Sequence, residues 1–227
     1  MEIGIDNKQL NRSIKLRLIA ENKTNFEEIE ELSLINRNFL GKNLNIDLEE
    51  ICKIRDLKKL SIKFFTINEK IIKAINSLEK LETLEIYMCK LETQEKLNGN
   101  LKNISLYNVE NLNLDIIKTD FVEIFRIENS GLADLYKFYK FDYLKRLEIV
   151  NCPIISGPKL NLLKSLEELH LQNIDLQFDL EIDKLENLQF ISLNGCKVYD
   201  KDEYIKRIKK QNSKLKIEFK DDNNPIE

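Results

Sequence analysis

The sequence predicts an α/β solenoid, a stack of strand-bearing repeats that share one parallel sheet, and two observations point to it. The first is an eleven-residue phrase that recurs along the chain, most clearly as LETLEIYMCKL from Leu81, LKRLEIVNCPI from Leu144, LEELHLQNIDL from Leu166 and LQFISLNGCKV from Leu188. Looser copies are IEELSLINRNF from Ile29, LKKLSIKFFTI from Leu57, LKNISLYNVEN from Leu101 and VEIFRIENSGL from Val122. Positions 1, 4 and 6 are apolar in all of them, and position 11 is apolar except where Asn111 stands. The second observation is spacing: counted from first residue to first residue, the copies lie 28, 24, 20, 21, 22, 22 and 22 apart. Positions 3 to 7 read as a short strand with 4 and 6 inward and 3, 5 and 7 outward, because successive side chains alternate faces. One such unit has too little core to fold alone, so stacking buries a continuous apolar spine.

The elements follow in order. Residues 1–28 form an N-terminal capping segment, in which SIKLRLI from Ser13 alternates Ile14, Leu16 and Leu18 as a capping strand or a degenerate first rung. The array runs over residues 29–198 and holds about eight repeats. Its two longest spacings predict helices: one over 45–54, with Asp47 as N-cap and Leu48, Ile51 and Cys52 on one face, and one in TINEKIIKAINSL from Thr66, where Ile71, Ile75 and Leu78 share a face. Later crossovers such as NIDLQFDLEIDKL from Asn173 suit a turn, a short extended piece or a single helical turn. Residues 199–220 form the C-terminal cap: Asp200 and Glu203 make a capping-box-like start, Tyr204, Ile205 and Ile208 follow on a helix, and KLKIEF from Lys214 supplies a last strand. Residues 221–227 read as a disordered tail.

Composition narrows the functional classes. With 42% hydrophobic and 33% charged residues in 227, the chain can bury a substantial core, and its net charge of −3 gives no general pull toward nucleic acid or acidic membranes. Met1–Leu10 lacks a basic-then-apolar signal and no long apolar run follows, so a cytoplasmic protein is the expectation, with secretion lacking a recognisable signal as the alternative. Cys89, Cys152 and Cys196 all stand at position 9, on the third, sixth and eighth phrases. Strands about 4.8 Å apart put Cys152 roughly 10 Å from Cys196 and about 14 Å from Cys89. That is too far for a disulfide or a shared zinc, so these thiols read as buried packing groups, as does Cys52 in its helix. Unpaired cysteines fit a reducing compartment.

An apolar residue stands three places before most phrases (Phe26, Ile54, Leu78, Phe141, Leu163, Leu185), which gives LxxLxxLxLxx followed by Asn or Cys. This pattern resembles the leucine-rich repeat, in particular the 22-residue subclass of phosphatase-regulatory and internalin-type proteins, over about Phe26 to Phe219. Position 9 departs from it at Arg37, Phe65, Val109, Ser130 and Ile174, which predicts an irregular inner ladder. The resemblance implies a curved right-handed β–α superhelix with the parallel sheet on its concave side, and a non-catalytic module that binds a protein on that side.

The outward residues of that sheet supply the candidate site. Position 7 runs Ile35, Lys63, Tyr87, Tyr107, Glu128, Val150, Gln172, Asn194, with Phe64 and Met88 beside the two tyrosines at position 8. Tyr and Met are enriched at binding surfaces, so this reads either as a docking patch or as rings that cover the sheet with wet hydroxyls. At position 5, Arg126, Glu148 and His170 follow one another, flanked at position 3 by Arg146 and Glu168: a solvated ion ladder or a second recognition surface. The expected partner-binding residues are therefore Tyr87, Tyr107, Phe64, Met88, Ile35, Arg126, Glu148 and His170. His170 faces away from the position-9 thiols, which disfavours a Cys/His nucleophile. The sequence holds no phosphate-binding glycine loop, zinc-spaced cluster or serine elbow, so no catalytic residue, metal, cofactor or small-molecule substrate is expected. Besides protein binding, two other readings stay open: a secreted or surface effector or adhesin meeting a host protein, and a weak nucleic-acid binder using the basic run YIKRIKKQNSKLK from Tyr204.

Overall fold

Each of the eight phrases carries its strand at positions 3 to 7, and in the first the strand continues to position 8. The structure, a computed structural model, describes residues 2–5, 29–36, 48–118, 121–131, 135–153, 160–176, 182–198 and 200–220. The chain divides into two units, Met1–Lys118 and Thr119–Glu227.

In the first unit the elements are β1 (Glu2–Ile5), β2 (Glu31–Asn36), β3 (Lys59–Lys63), β4 (Thr66–Ile67), α1 (Glu69–Asn76), β5 (Thr83–Tyr87), β6 (Lys90–Leu91) and β7 (Asn103–Tyr107). Strands β1, β2, β3, β5 and β7 lie side by side in chain order, all parallel, while β4 and β6 form a second small parallel pair. The register holds phrase position against phrase position: Leu34 faces Ile62, Ile62 faces Ile86, and Ile86 faces Leu106. Leu32, Leu34, Leu60, Ile62, Leu84, Ile86, Ile104 and Leu106 are all buried on the inner side. Strand β1 is a rung that the sequence reading did not anticipate. The expected capping strand from Ser13 lies outside the described residues.

The predicted helix in TINEKIIKAINSL is α1. Asn68 caps it by accepting a hydrogen bond from the Ile71 amide at 3.1 Å, and Ile71, Ile72, Ala74 and Ile75 face the core. The helix expected over 45–54 is instead a six-residue 3-10 turn, Leu48–Lys53, closed by the Ile54 amide donating to the Ile51 carbonyl at 2.9 Å. Six residues supply too few intrahelical bonds to repay α-helix nucleation, so the tighter turn spans the crossover. Asp47, its expected cap, lies outside the described residues. Cys52 packs against the end of α1, where the Ser77 hydroxyl donates to its Sγ at 2.8 Å.

The second unit repeats the pattern with β8 (Ile124–Glu128), β9 (Arg146–Val150), β10 (Glu168–Gln172), β11 (Asp175–Leu176), β12 (Phe190–Asn194), β13 (Lys197–Val198), α2 (Lys201–Gln211) and β14 (Lys216–Glu218). Strands β8, β9, β10, β12 and β14 are parallel neighbours, and β11 pairs with β13. The crossover from Asn173 is both of the short forms that its pattern allowed, an extended β11 and a 3-10 turn at Ile182–Lys184. The residues three places before the phrases, Phe141, Leu163 and Leu185, are buried here, as Ile54 and Leu78 are in the first unit. Phe141 completes an aromatic knot with Phe125 and Phe138, ring centroids 5.3 to 5.5 Å apart. Asp200 caps α2, accepting from the Glu203 amide at 3.3 Å, and Tyr204 and Ile208 are buried.

Candidate functional site

Position 8 follows the strand in the left-handed region in every phrase but the first, where Asn36 continues β2. Phe64, Met88, Asn108, Asn129, Asn151, Asn173 and Gly195 all have φ between 48° and 66°. There the chain turns while the position-8 amide still donates to the position-7 carbonyl of the next rung, as from Phe64 to Tyr87 at 3.0 Å and from Met88 to Tyr107 at 2.7 Å. Asn and Gly tolerate this backbone, whereas other L-residues are strained in it. Phe64 and Met88 are the two positions where a large side chain is held there. Both border the tyrosines.

Tyr87 and Tyr107, facing each other across β5 and β7, stack with centroids 4.3 Å apart and planes 1° apart. The Lys63 ammonium lies 5.2 Å from the Tyr87 ring centre, a cation–π contact on the side toward β3. The Tyr87 hydroxyl donates a long 3.4 Å hydrogen bond to Glu85, which in turn holds Lys59 at 2.7 Å. Burial, with the Glu85 charge behind it, pushes the Tyr87 phenol well above its ordinary pKa, so it stays protonated. Met88 is 51% exposed, an unusual placement for a flexible apolar side chain. Ile35 lies half-buried at position 7 of β2, two strands from Tyr87. Lys63, named in the position-7 row but not among the expected binding residues, and Lys59 join the site through their places beside Tyr87 and Glu85 in the register.

In the second unit Arg126, Glu148 and His170 stand on neighbouring strands as expected. Arg126 donates to Glu148 at 2.9 Å and to Glu128 at 2.7 Å, and Arg146 reaches Glu148 at 2.6 Å and Glu168 at 3.1 Å. His170 Nε2 lies 3.2 Å from Glu168, and its ring is 5.1 Å from that of Phe190. Glu148, only 12% exposed in its side chain, is the hub of this network. A further ladder occupies position 2, where Glu30 pairs with Lys58 at 2.7 Å, Glu82 with Lys102 at 2.8 Å and Glu123 with Lys145 at 2.8 Å.

Position 9 is buried in every described copy: Phe65, Cys89, Val109, Ser130, Cys152, Ile174 and Cys196. Cys152 and Ser130 each donate to the carbonyl two residues back, at 3.2 and 3.0 Å, whereas the apolar members make no such bond, so the inner ladder is irregular as expected. All four cysteines are free. Burial pushes the Cys89 thiol up to about 11, which suppresses its thiolate. Among the described residues no three His, Cys, Asp or Glu side chains gather into a metal-binding group, and no helix is long and apolar enough to cross a membrane.

No family model and no curated protein matches the chain. Solved structures do. The chain is similar to an internalin, InlF of Listeria monocytogenes, with 21% identity and a TM-score of 0.51 over 88% of this chain and 63% of that one. It therefore spans less than two thirds of that internalin's length. A leucine-rich-repeat protein of Leptospira interrogans aligns at 16% identity and a TM-score of 0.38 over 85% and 90% of the two chains. The chain has the leucine-rich-repeat fold, which the phrase register, the parallel strands and the internalin likeness all support.

Proposed function

We propose that this chain is a non-catalytic protein-binding module whose partner docks on the open face of the sheet in the first unit, centred on Tyr87 and Tyr107. The stacked tyrosine pair, flanked by a half-exposed Met88 in a left-handed backbone, carries this reading. Stacking pre-orders two large amphipathic rings at little entropic cost, and strained residues at the edge of a patch favour a binding role over simple coverage of the sheet. Lys63 covers the Tyr87 ring through its cation–π contact, and the charge of Lys59 is met by Glu85. Phe64 and Ile35 extend the patch, while Arg126 and Glu148 bind each other, His170 binds Glu168, and Arg146 links the two glutamates in a structural ion network.

The test is affinity capture from lysate of the native source with wild type and Tyr87→Asp/Tyr107→Asp, after circular dichroism shows both folded. A genuine partner should be retained by wild type and lost from the variant, since removing two central anchors costs at least about 2 kcal/mol, roughly a thirtyfold drop in affinity. Equal recovery in both lanes would sink the patch. The same reading places the protein in the cytoplasm, because free thiols suit a reducing compartment. Fractionation decides this, and recovery of the chain from the medium would reassign it to the secreted class.

A further inference from the structure

We infer that Asn98 is a site of spontaneous self-modification, in which the Gly99 amide nitrogen attacks the Asn98 side chain and converts it to an aspartyl or isoaspartyl residue, while the fold keeps the chain's other Asn-Gly pair, Asn194 and Gly195, inert. Asn-Gly occurs at these two places alone, each time after a leucine, Leu97 and Leu193. Glycine favours the reaction at both, because it has no Cβ to crowd its nitrogen as a ring closes onto the preceding side chain. Local sequence therefore predicts equal reactivity. The structure separates the two.

Asn98 and Gly99 are exposed in the loop between β6 and β7, which is fixed on both sides of the pair. The amide of buried Leu97 donates to the Ile116 carbonyl at 2.7 Å, the Asn98 main-chain amide donates to the Asn76 side-chain oxygen at 2.8 Å, and the Asn100 side chain donates to the Glu79 carbonyl at 3.1 Å. Between these anchors, neither the Asn98 carboxamide nor the Gly99 amide makes a hydrogen bond among the described residues. A Cβ at Gly99 would meet no atom within 4 Å, so the space around the reacting groups is open.

At the second pair, one residue engages both reacting groups. The Gly195 amide donates to the Lys220 carbonyl at 2.8 Å, and the Asn194 side-chain oxygen accepts from the Lys220 amide at 3.1 Å. Ring closure there must break both bonds, which slows it by on the order of tenfold or more. At Asn98 nothing has to break. The bond from the Gly99 nitrogen to Asn98 Cγ forms, the Cγ–Nδ2 bond breaks, and ammonia leaves with the proton given up by the Gly99 amide. Water then opens the cyclic imide: attack at Cγ restores the ordinary main chain, and attack at the main-chain carbonyl routes the chain through the side chain. Water is the one co-reactant consumed. Either product sets a carboxylate beside Asn76, the last residue of α1, where the negative end of the helix dipole opposes it.

The test incubates the full chain in mildly alkaline buffer, once native and once in urea, and follows the peptides that carry Asn98 and Asn194 by mass spectrometry. Isoaspartyl product is counted with an isoaspartyl methyltransferase and labelled S-adenosylmethionine. In the native chain Asn98 should convert at least about tenfold faster than Asn194. In urea the two rates should converge, since only the shared Leu-Asn-Gly sequence then acts. Asn98→Gln, whose longer side chain closes a larger ring far more slowly, should abolish methyl acceptance by the native chain. No conversion at Asn98, a native bias short of tenfold, a bias that persists in urea, or methyl acceptance that survives in Asn98→Gln would overturn the inference.

Discussion

Position 8 shows how a single residue type is tied to one backbone angle. Asn108, Asn129, Asn151, Asn173 and Gly195 sit where φ is positive, and Met88 occupies the same geometry with a side chain that gains little from burial there. Met88→Asn should therefore stabilise the fold by about 1 kcal/mol in urea denaturation while weakening partner binding, and a loss of stability would show that Met88 packs structurally. Cys89 offers a test of opposite character. Its thiol titrates from an ordinary 9.0 to about 11 on folding, so the native state holds its proton more tightly than the unfolded chain. Stability from this group is fully present below pH 9 and is lost as pH rises toward 11, a drop of roughly 2–3 kcal/mol. Cys89→Ala should lower stability near neutrality yet show a shallower fall over that window, which urea melts at pH 8 and pH 10.5 would reveal.

Among the elements, α1 depends on one cap. Asn68 satisfies the Ile71 amide, and Glu69 pairs with Lys73 one turn on, which also suits the helix dipole. Asn68→Ala should cost about 1 kcal/mol, and Asn68→Asp should be close to neutral, as read by urea unfolding. The two early crossovers differ although both were read as helices. The run from Glu69 is long enough to bury four residues, whereas Leu48–Lys53 ends after six. Hydrophobic spacing alone cannot distinguish a short 3-10 helix from the start of an α-helix, because Leu48, Ile51 and Cys52 fit either.

Across the whole molecule, stability rests on the inward pairs at positions 4 and 6, each packed against the same position of the neighbouring strand within its unit. Leu147→Ala, at a fully buried site flanked in register by Phe125 and Leu169, should cost about 3 kcal/mol, while exposed Gln172→Ala on the adjacent strand should stay within about 0.5. Equal costs in urea denaturation would contradict a stacked spine. The strand positions were legible in the sequence because burial repeats with the phrase: alternation within five residues and recurrence about every 22 leave one register. The neighbouring tyrosines were legible for the same reason, since equal phrase position means adjacency in a parallel sheet. The sequence by itself therefore determined the repeat fold, the inward and outward faces and which residues are neighbours. Only the tertiary structure decided how those neighbours meet: the parallel stacking of Tyr87 on Tyr107, the Glu148 carboxylate shared by Arg126 and Arg146, the strand at Glu2–Ile5, and a groove lined in part by Gln189. These depend on rotamers, on backbone angles and on pairing between segments distant in the chain, none of which a periodic pattern encodes.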